Sequence, residues 1–498
     1  MSSLESHFDR FRRNTVGYDH SFETPYGTKR LVYTDWIASG RMYRPIEEQI
    51  LNVLGPFVGN THSESSVTGS SMTRAYHEAR NVIKQHVGAG PDDMIIAADS
   101  GMTGVVNKLQ RILGLRVPEQ LLKYVDIPDE NRPVVFITHM EHHSNQTSWE
   151  ETIADVVWIP PDDAGLCRAD HLTKVVKKYK DRPLIGSFTA SSNVTGVRTP
   201  YHEMARIMHE NGGLCFVDFA ASAPYESMNM HPEDPAEKLD AIFFSPHKFL
   251  GGPGSVGVMV FDRALNHNVV PDHPGGGTVE WTNPWGGHRF LSDPEDREDG
   301  GTPPFLQTIR AAMAIRLKEE MGIEDMLARE SELLAMAFPR LRAVPGLHIL
   351  ADHLEDRLGV ISFYVDNVHY NLLVKLLNDR FGIQMRGGCS CAGTYGHYLL
   401  HVDQAHSQSI TDQIDHGDLS MKPGWVRFSI HPTTTNSELE YVLDAVEETV
   451  SRVEEWSKDY DYDAQINEFV HRTVSDPLNE SIKGWFEISS DPVESSSA

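Results

Sequence analysis

Short apolar runs recur through the middle of the chain: VVFITH (134–139), LIGSFTA (184–190), LCFVDFA (214–220), AIFFSPH (241–247) and VGVMVFD (256–262). Each is too short, and too rich in β-branched or aromatic residues, for a free-standing helix, so each predicts a buried strand. Helical patterns lie between several of them. The segment PYHEMARIMHENGG (200–213) opens with a proline in its first turn and closes on Gly-Gly, the usual asymmetry of helix ends. Repeated strand–helix–strand units predict an α/β fold with a mostly parallel sheet covered on both faces.

From about residue 306 the pattern changes. A long helical stretch broken at Gly322 is followed by strand-like LHILA (347–351) and GVISFYV (359–365) and helical YNLLVKLLNDRFG (370–382). Strand-like WVRFSIH (425–431) and helical NSELEYVLDAVEETVSRVEEW (436–456) complete it. This predicts a second, smaller α+β domain. The expected division is an N-terminal segment over 1–45 packing with the small domain, a large domain over 46–310, the small domain over 311–460, and an extension over 461–498. That extension ends in SSDPVESSSA and is expected to be partly disordered.

Composition narrows the function classes. The chain has 498 residues, 40% hydrophobic and 23% charged, as in ordinary globular proteins. Its 71 acidic and 44 basic residues give a formal net charge of −27. That surface repels nucleic acid phosphates and anionic membranes, so neither is expected as a partner. Four cysteines are too few for a disulfide scaffold and favour a reducing compartment. The start has no apolar core of signal-peptide length, and no stretch approaches ~18 uninterrupted apolar residues. A cytoplasmic location is the expectation.

Four segments carry candidate chemistry. In FSPHKFLGGPGSVGVMVF (244–261), Lys248 sits between a strand and a glycine-rich turn, with no helical face to solvate it. A lysine there loses its proton more easily and can attack a carbonyl cofactor. No Gly-Lys-Ser/Thr follows, so the glycine run is not a Walker loop. In LCFVDFAASAPY (214–225), Asp218 closes an apolar strand, where α/β sheets place ligands. It reads either as the partner of a protonated pyridine nitrogen or as a turn cap. In AADSGMTGVVNKLQRIL (97–113), Ser100 and Thr103 open a helix-like run, either as an anion site or as simple N-caps. In THMEHHSNQTSW (138–149), a His-His pair follows a strand. Without matching Cys or carboxylate spacing, stacking on an aromatic cofactor is the sharper reading than metal ligation, and no metal is expected.

Together, in this order, these motifs resemble the fold type I superfamily of pyridoxal-phosphate (PLP) enzymes. More narrowly they resemble the class V aminotransferase and cysteine desulfurase branch, in particular its SUF-type cysteine desulfurase and selenocysteine lyase group. The resemblance runs from about residue 30, where YTDWIASG looks like the family's opening strand and turn, to about residue 455. It implies PLP linked to Lys248, with Asp218 on the ring nitrogen, Ala220 beneath the ring and His142 stacked on it. Met102 and Thr103 match the phosphate loop, and Ser245 and His247 match further phosphate contacts. Asn193 matches a residue near the substrate and the cofactor hydroxyl, and Arg427 matches the arginine that holds the substrate carboxylate. Gly275–Thr278 and Gly301–Pro303 match loops that cross a dimer interface toward the partner's site, so a homodimer with Thr278 at the cofactor is implied.

The segment QMRGGCSCAGTYG (384–396) is the most informative. The SUF-type group carries its nucleophilic cysteine in Arg-x-Gly-x-x-Cys-Ala, which here is Arg386, Gly388, Cys391 and Ala392. Cys391 thus aligns with the sulfur acceptor, beside an arginine that favours a thiolate. Cys389 is extra, and a structural pair, a metal half-site or a redox pair are the other readings. Ala221 stands where the family often has glutamine. Segments 115–133 and 401–424 read as insertions, the second placed where it can reshape the substrate mouth. The resemblance implies an amino acid substrate, a sulfur-acceptor protein as partner, and persulfide chemistry on Cys391. The alternative is another class V reaction: amino transfer, epimerisation or C–S lysis.

Overall fold

The computed structural model of the chain describes residues 3–61, 63–474 and 478–488. The terminal SSDPVESSSA segment lies outside the described residues.

A seven-stranded sheet forms the centre. Its order is Asp93–Ala98, Gly257–Asp262, Ala241–Phe244, Leu214–Asp218, Leu184–Thr189, Val134–Thr138 and Asp155–Ile159. Every strand but Gly257–Asp262 runs in one direction; that strand lies antiparallel between its two neighbours, with Val260 opposite both Ile95 and Ile242. Three inner strands, Val134–Thr138, Leu184–Thr189 and Ala241–Phe244, are buried along their whole length because helices cover both faces, which is why they read as continuous apolar runs. Val134, Phe136, Val217 and Ile242 face one core, and Val135, Ile137, Phe216 and Phe243 face the other. Each such side chain contributes roughly 1.5–3 kcal/mol by leaving water.

The helix Phe305–Met321 packs Ile309, Ala311, Ala312 and Ile315 into the first of these cores. Gly322, at φ 82°, then breaks the chain, and Ile323–Arg342 turns its Leu333, Phe338 and Leu341 toward a separate core. That core backs a four-stranded antiparallel sheet ordered Leu347–Ile349, Val360–Val365, Trp425–Ser429, Arg386–Gly388. The N-terminal Val32–Tyr33 pairs in parallel with Ile383–Gln384, and Ser429 N–H donates to the Thr34 carbonyl. This seam carries residues 33–40 from the small sheet across to the central one.

Beyond the helix Asn436–Trp456, a hairpin of Tyr460–Asp463 and Glu468–His471 packs on Leu372, Leu376 and Trp456. The stretch 401–424 folds into an exposed helix, Gln404–Asp415, capped by Asp403. The stretch 115–133 forms two short, exposed helical turns. Among the described residues no helix is long and apolar enough to cross a membrane.

Candidate active site

The parallel strands end on one side of the central sheet, where their last residues and following loops surround a cavity of about 210 Å³. Asp218 and Thr189 end adjacent strands and pair in register. Lys248 arrives on the short turn Pro246–Lys248 after Ala241–Phe244. The loop is pinned from outside: Gly40 N–H donates to the His247 carbonyl at 2.9 Å. A Cβ on Gly40 would stand 2.0 Å from the Phe249 carbonyl oxygen, so this approach requires glycine.

One end of the cavity is built for an anion. The 12-residue helix Gly101–Ile112 points its N-terminus there. Ser100 does not cap it with its side chain. Instead, Ser245 Oγ accepts the Met102 N–H at 2.8 Å, and Thr103 Oγ1 shares a hydrogen bond with Ser144 Oγ at 2.6 Å. Gly101 has φ 63°, and a Cβ there would press within 2.9 Å of Ser245 Oγ and 3.1 Å of His247.

The centre holds the charges. Asp218 is buried, and Ala220 N–H donates to its Oδ1 at 2.8 Å. Burial pushes its carboxyl up to about 6, opposed by that N–H and by Lys248. Burial pushes the Lys248 ammonium down to about 8; Asp218 counters this, while Arg427 and Arg386 add to it. His142 caps the helix His143–Glu150, its Nδ1 accepting the Ser144 N–H at 3.1 Å. Burial, followed by the nearby Lys248 charge, pushes the imidazole down to about 3, so it is neutral at ordinary pH. His247 is held at about 4 for the same two reasons.

The third end is cationic and polar. Arg386 and Arg427 face each other across paired strands. Arg427 donates to the Asn193 carbonyl at 3.1 Å and to Asp35 Oδ1 at 2.9 Å. Arg386 reaches the other Asp35 oxygen at 3.5 Å and is half exposed. Burial lowers the Arg427 pKa, and Asp35 opposes the effect. The cysteine loop closes this end: Asn193 Nδ2 donates to the Ser390 carbonyl at 2.7 Å, and Ser390 lines the wall. Cys391 is exposed beside that wall, and its carbonyl accepts the His143 N–H at 2.8 Å.

The sequence model of the aminotransferase class-V family matches residues 32–442. The chain belongs to that family. Its enzymes are PLP-dependent, and PLP is the cofactor here. A probable cysteine desulfurase of Halobacterium salinarum is 28% identical over 375 residues, 73% of this chain and 83% of that protein. A cysteine desulfurase of Haloferax volcanii is 27% identical over 416 residues, 78% and 89% of the two chains. Among solved structures, the apo cysteine desulfurase of Thermococcus onnurineus superposes with a TM-score of 0.70 at 21% identity, covering 89% of this chain and 98% of its own. The Escherichia coli cysteine desulfurase in its S-sulfonic acid form gives 0.68, also at 21% identity, covering 89% and 98%. At that identity the two structures speak to fold.

The wall residues fit the family's cofactor. Ser191 Oγ, Asn193 Oδ1, Ser390 Oγ and Arg427 Nε are buried, line the cavity, and have no hydrogen-bond partner among the described residues. Buried polar atoms left so are costly unless a ligand meets them. A helix N-terminus for phosphate, a carboxylate for a ring nitrogen and a depressed lysine amine complete the donor set.

Lys248, Asp218, Ala220, His142, Met102, Thr103, Ser245, His247, Asn193, Arg386 and Arg427 all line this one cavity. Two expected residues do not. Cys391 stands just outside the wall, and Thr278 is buried in its own loop, its hydroxyl donating to the Gly275 carbonyl at 2.7 Å. The 401–424 segment, expected near the mouth, supplies no wall residue. Among the described residues, no group of three or more His, Cys, Asp or Glu side chains is placed to hold a metal ion.

Sequence reasoning missed Asp35, which aligns both arginines, and Glu141. Glu141 is fully buried; its Oε1 accepts from Thr138 N–H and Oγ1 and from Thr189 N–H, and its Oε2 accepts from Asn145. It fastens the helix carrying His142 to the strand beside Asp218. Burial pushes it up to about 7. The acid in YTDW and the one before the His pair were visible signals: an isolated acid in an apolar setting needs a partner.

Proposed function

We propose that this protein is a cysteine desulfurase or selenocysteine lyase, with PLP bound between Lys248, Asp218 and the Gly101–Ile112 N-terminus. When bound, PLP draws electrons from the substrate α-carbon into its ring. Asp218, once ionised, would hold the ring nitrogen of the bound cofactor protonated, and that pairing would offset the cost of burying the carboxylate. Neutral His142 offers a flat face and an unprotonated nitrogen rather than a competing cation. Arg427 receives the substrate carboxylate with donors already oriented by Asp35. Lys248, free of its proton near neutral pH more readily than an ordinary lysine, takes the α-proton at Nζ. The Cys391 thiolate then attacks the substrate sulfur; an S–S bond forms as the C–S bond breaks, and alanine leaves.

The observation that carries the desulfurase reading is the anchoring of Ser390 by Asn193, which holds a cysteine turn against the substrate end. Cys391→Ala tests it: sulfide release from cysteine should vanish while cofactor absorbance is retained. A second class V reaction without sulfur transfer is favoured by Cys391 lying outside the wall and by Ala221 lining it. Unchanged turnover in Cys391→Ala would select that reading.

The working unit proposed is a homodimer in a reducing cytoplasm. Thr278 does not line its own cavity, and its loop is the one proposed to serve a second copy. Leu51, Val53, Phe57 and Val58 leave exposed apolar surface of the kind such a copy covers. All four cysteines are free thiols. A protein acceptor for the Cys391 sulfur completes the proposal.

A further inference from the structure

Two of the four thiols, Cys167 and Cys215, are buried in the first core. The other two are separated by one residue in the loop that closes the substrate end, Cys391 exposed and Cys389 half-buried against the same core. The turn that holds them is unusual. Ala392 N–H donates to the Cys389 carbonyl at 3.0 Å, and the two residues between have φ 52° and 55°. This is a tight turn with both central residues in the left-handed region, which non-glycine residues rarely adopt. Its backbone is pinned from two sides, Ser390 by Asn193 and Cys391 by His143. Such a bend keeps α-carbons two residues apart within the roughly 4.4–6.8 Å that a disulfide spans. A bond between the two thiols would close across this one turn, whose carbonyls at Ser390 and Cys391 are already anchored.

We propose that Cys389 is a resolving thiol for Cys391, discharging its persulfide as sulfide; this rests on the desulfurase reading above. The Cys389 thiolate attacks the Cys391 Sγ. An S–S bond forms between the two residues while the Cys391 Sγ–sulfur bond breaks, and the outer sulfur leaves with the electron pair as hydrosulfide. No net oxidant is consumed, because the sulfane sulfur is reduced as the two thiols become a disulfide. A small thiol or a dithiol protein then reduces that disulfide by exchange and resets the pair. Sulfide release is thereby tied to the thiol pool, and an acceptor must reach Cys391 before Cys389 does.

The test mixes holoenzyme with one equivalent of cysteine, without reductant, then alkylates and maps the 384–396 peptide by mass. The wild type should yield a non-alkylated peptide about 2 Da lighter than the dithiol, with one equivalent of sulfide released. Cys389→Ser should instead hold a persulfide about 32 Da heavier on Cys391 and release sulfide at least ~10-fold more slowly until thiol is added. A wild type that keeps its persulfide and forms no disulfide overturns the proposal, even if the variant fails to fold. First-turnover alanine is read separately in Cys391→Ala: if it persists, the desulfurase reading fails instead.

Discussion

Lys248 offers the sharpest quantitative prediction. Burial and two arginines hold its ammonium near 8 against the 10.5 of an ordinary lysine, which disfavours the charged form by roughly 3 kcal/mol. At pH 7 about one-tenth of the apoprotein should carry a free amine at Lys248, roughly 300-fold more than an unperturbed lysine. Competitive acylation of the apoprotein with a small neutral reagent, read lysine by lysine by mass spectrometry, measures this directly. Labelling at Lys248 should climb about tenfold per pH unit below 8 and then level. Asp218→Asn removes the anion that supports the ammonium, so the midpoint should fall below that of the wild type. A Lys248 profile parallel to the surface lysines, or an upward shift in Asp218→Asn, would refute the reasoning.

Other outcomes follow from the same geometry. Asp218 titrates near 6 when folded and near 3.8 unfolded, so its ionisation costs stability that appears as pH rises through that window. Asp218→Asn should therefore stabilise the apoprotein by up to roughly 3 kcal/mol at pH 8, little at pH 4, in urea unfolding, while weakening cofactor binding. Asp35→Ala leaves the Arg427 guanidinium buried without its carboxylate; denaturation should show a loss of roughly 3 kcal/mol, with a higher KM for the amino acid. Gly40→Ala drives a Cβ against the Phe249 carbonyl and should lower cofactor occupancy, measured by absorbance, with the fold retained by circular dichroism. Glu141→Leu orphans the Thr138 and Thr189 N–H groups, each costing about 1–3 kcal/mol, and thermal unfolding should show it, with Glu141→Gln milder.

The inner strands and the long helices were legible because burial on both faces writes an unbroken apolar run, and amphipathic burial writes a helical period. The helix Asn436–Trp456 coincides with its sequence pattern. The two strands of the central sheet not recognised, Asp93–Ala98 and Asp155–Ile159, are its edges. The first merges into the motif that follows it. The second is mostly half-buried, which leaves no clean pattern. Phe305–Met321 reads as part of the change in pattern near 306, yet it packs into the first core; only Gly322 marks where the chain crosses over. The Tyr460–His471 hairpin is short and acidic, and its reason to fold lies in Leu372 and Trp456 rather than in itself.

The residues that line the cavity were legible for a different reason. Lys248, Asp218 and Arg427 are ionisable groups in apolar strands or their loops, where they need partners. What the sequence does not write is the third dimension: Asp35 meets Arg427 only because residue 32 pairs beside residue 383. The left-handed turn at Ser390 and Cys391 is likewise hidden, since neither residue type favours it.

The central claim is that the amine of Lys248 holds the cofactor. Borohydride reduction of the purified holoenzyme, followed by peptide mapping, tests it in one step. The account predicts a single pyridoxyl adduct on the peptide containing Lys248; an adduct on another lysine, or none, would contradict it.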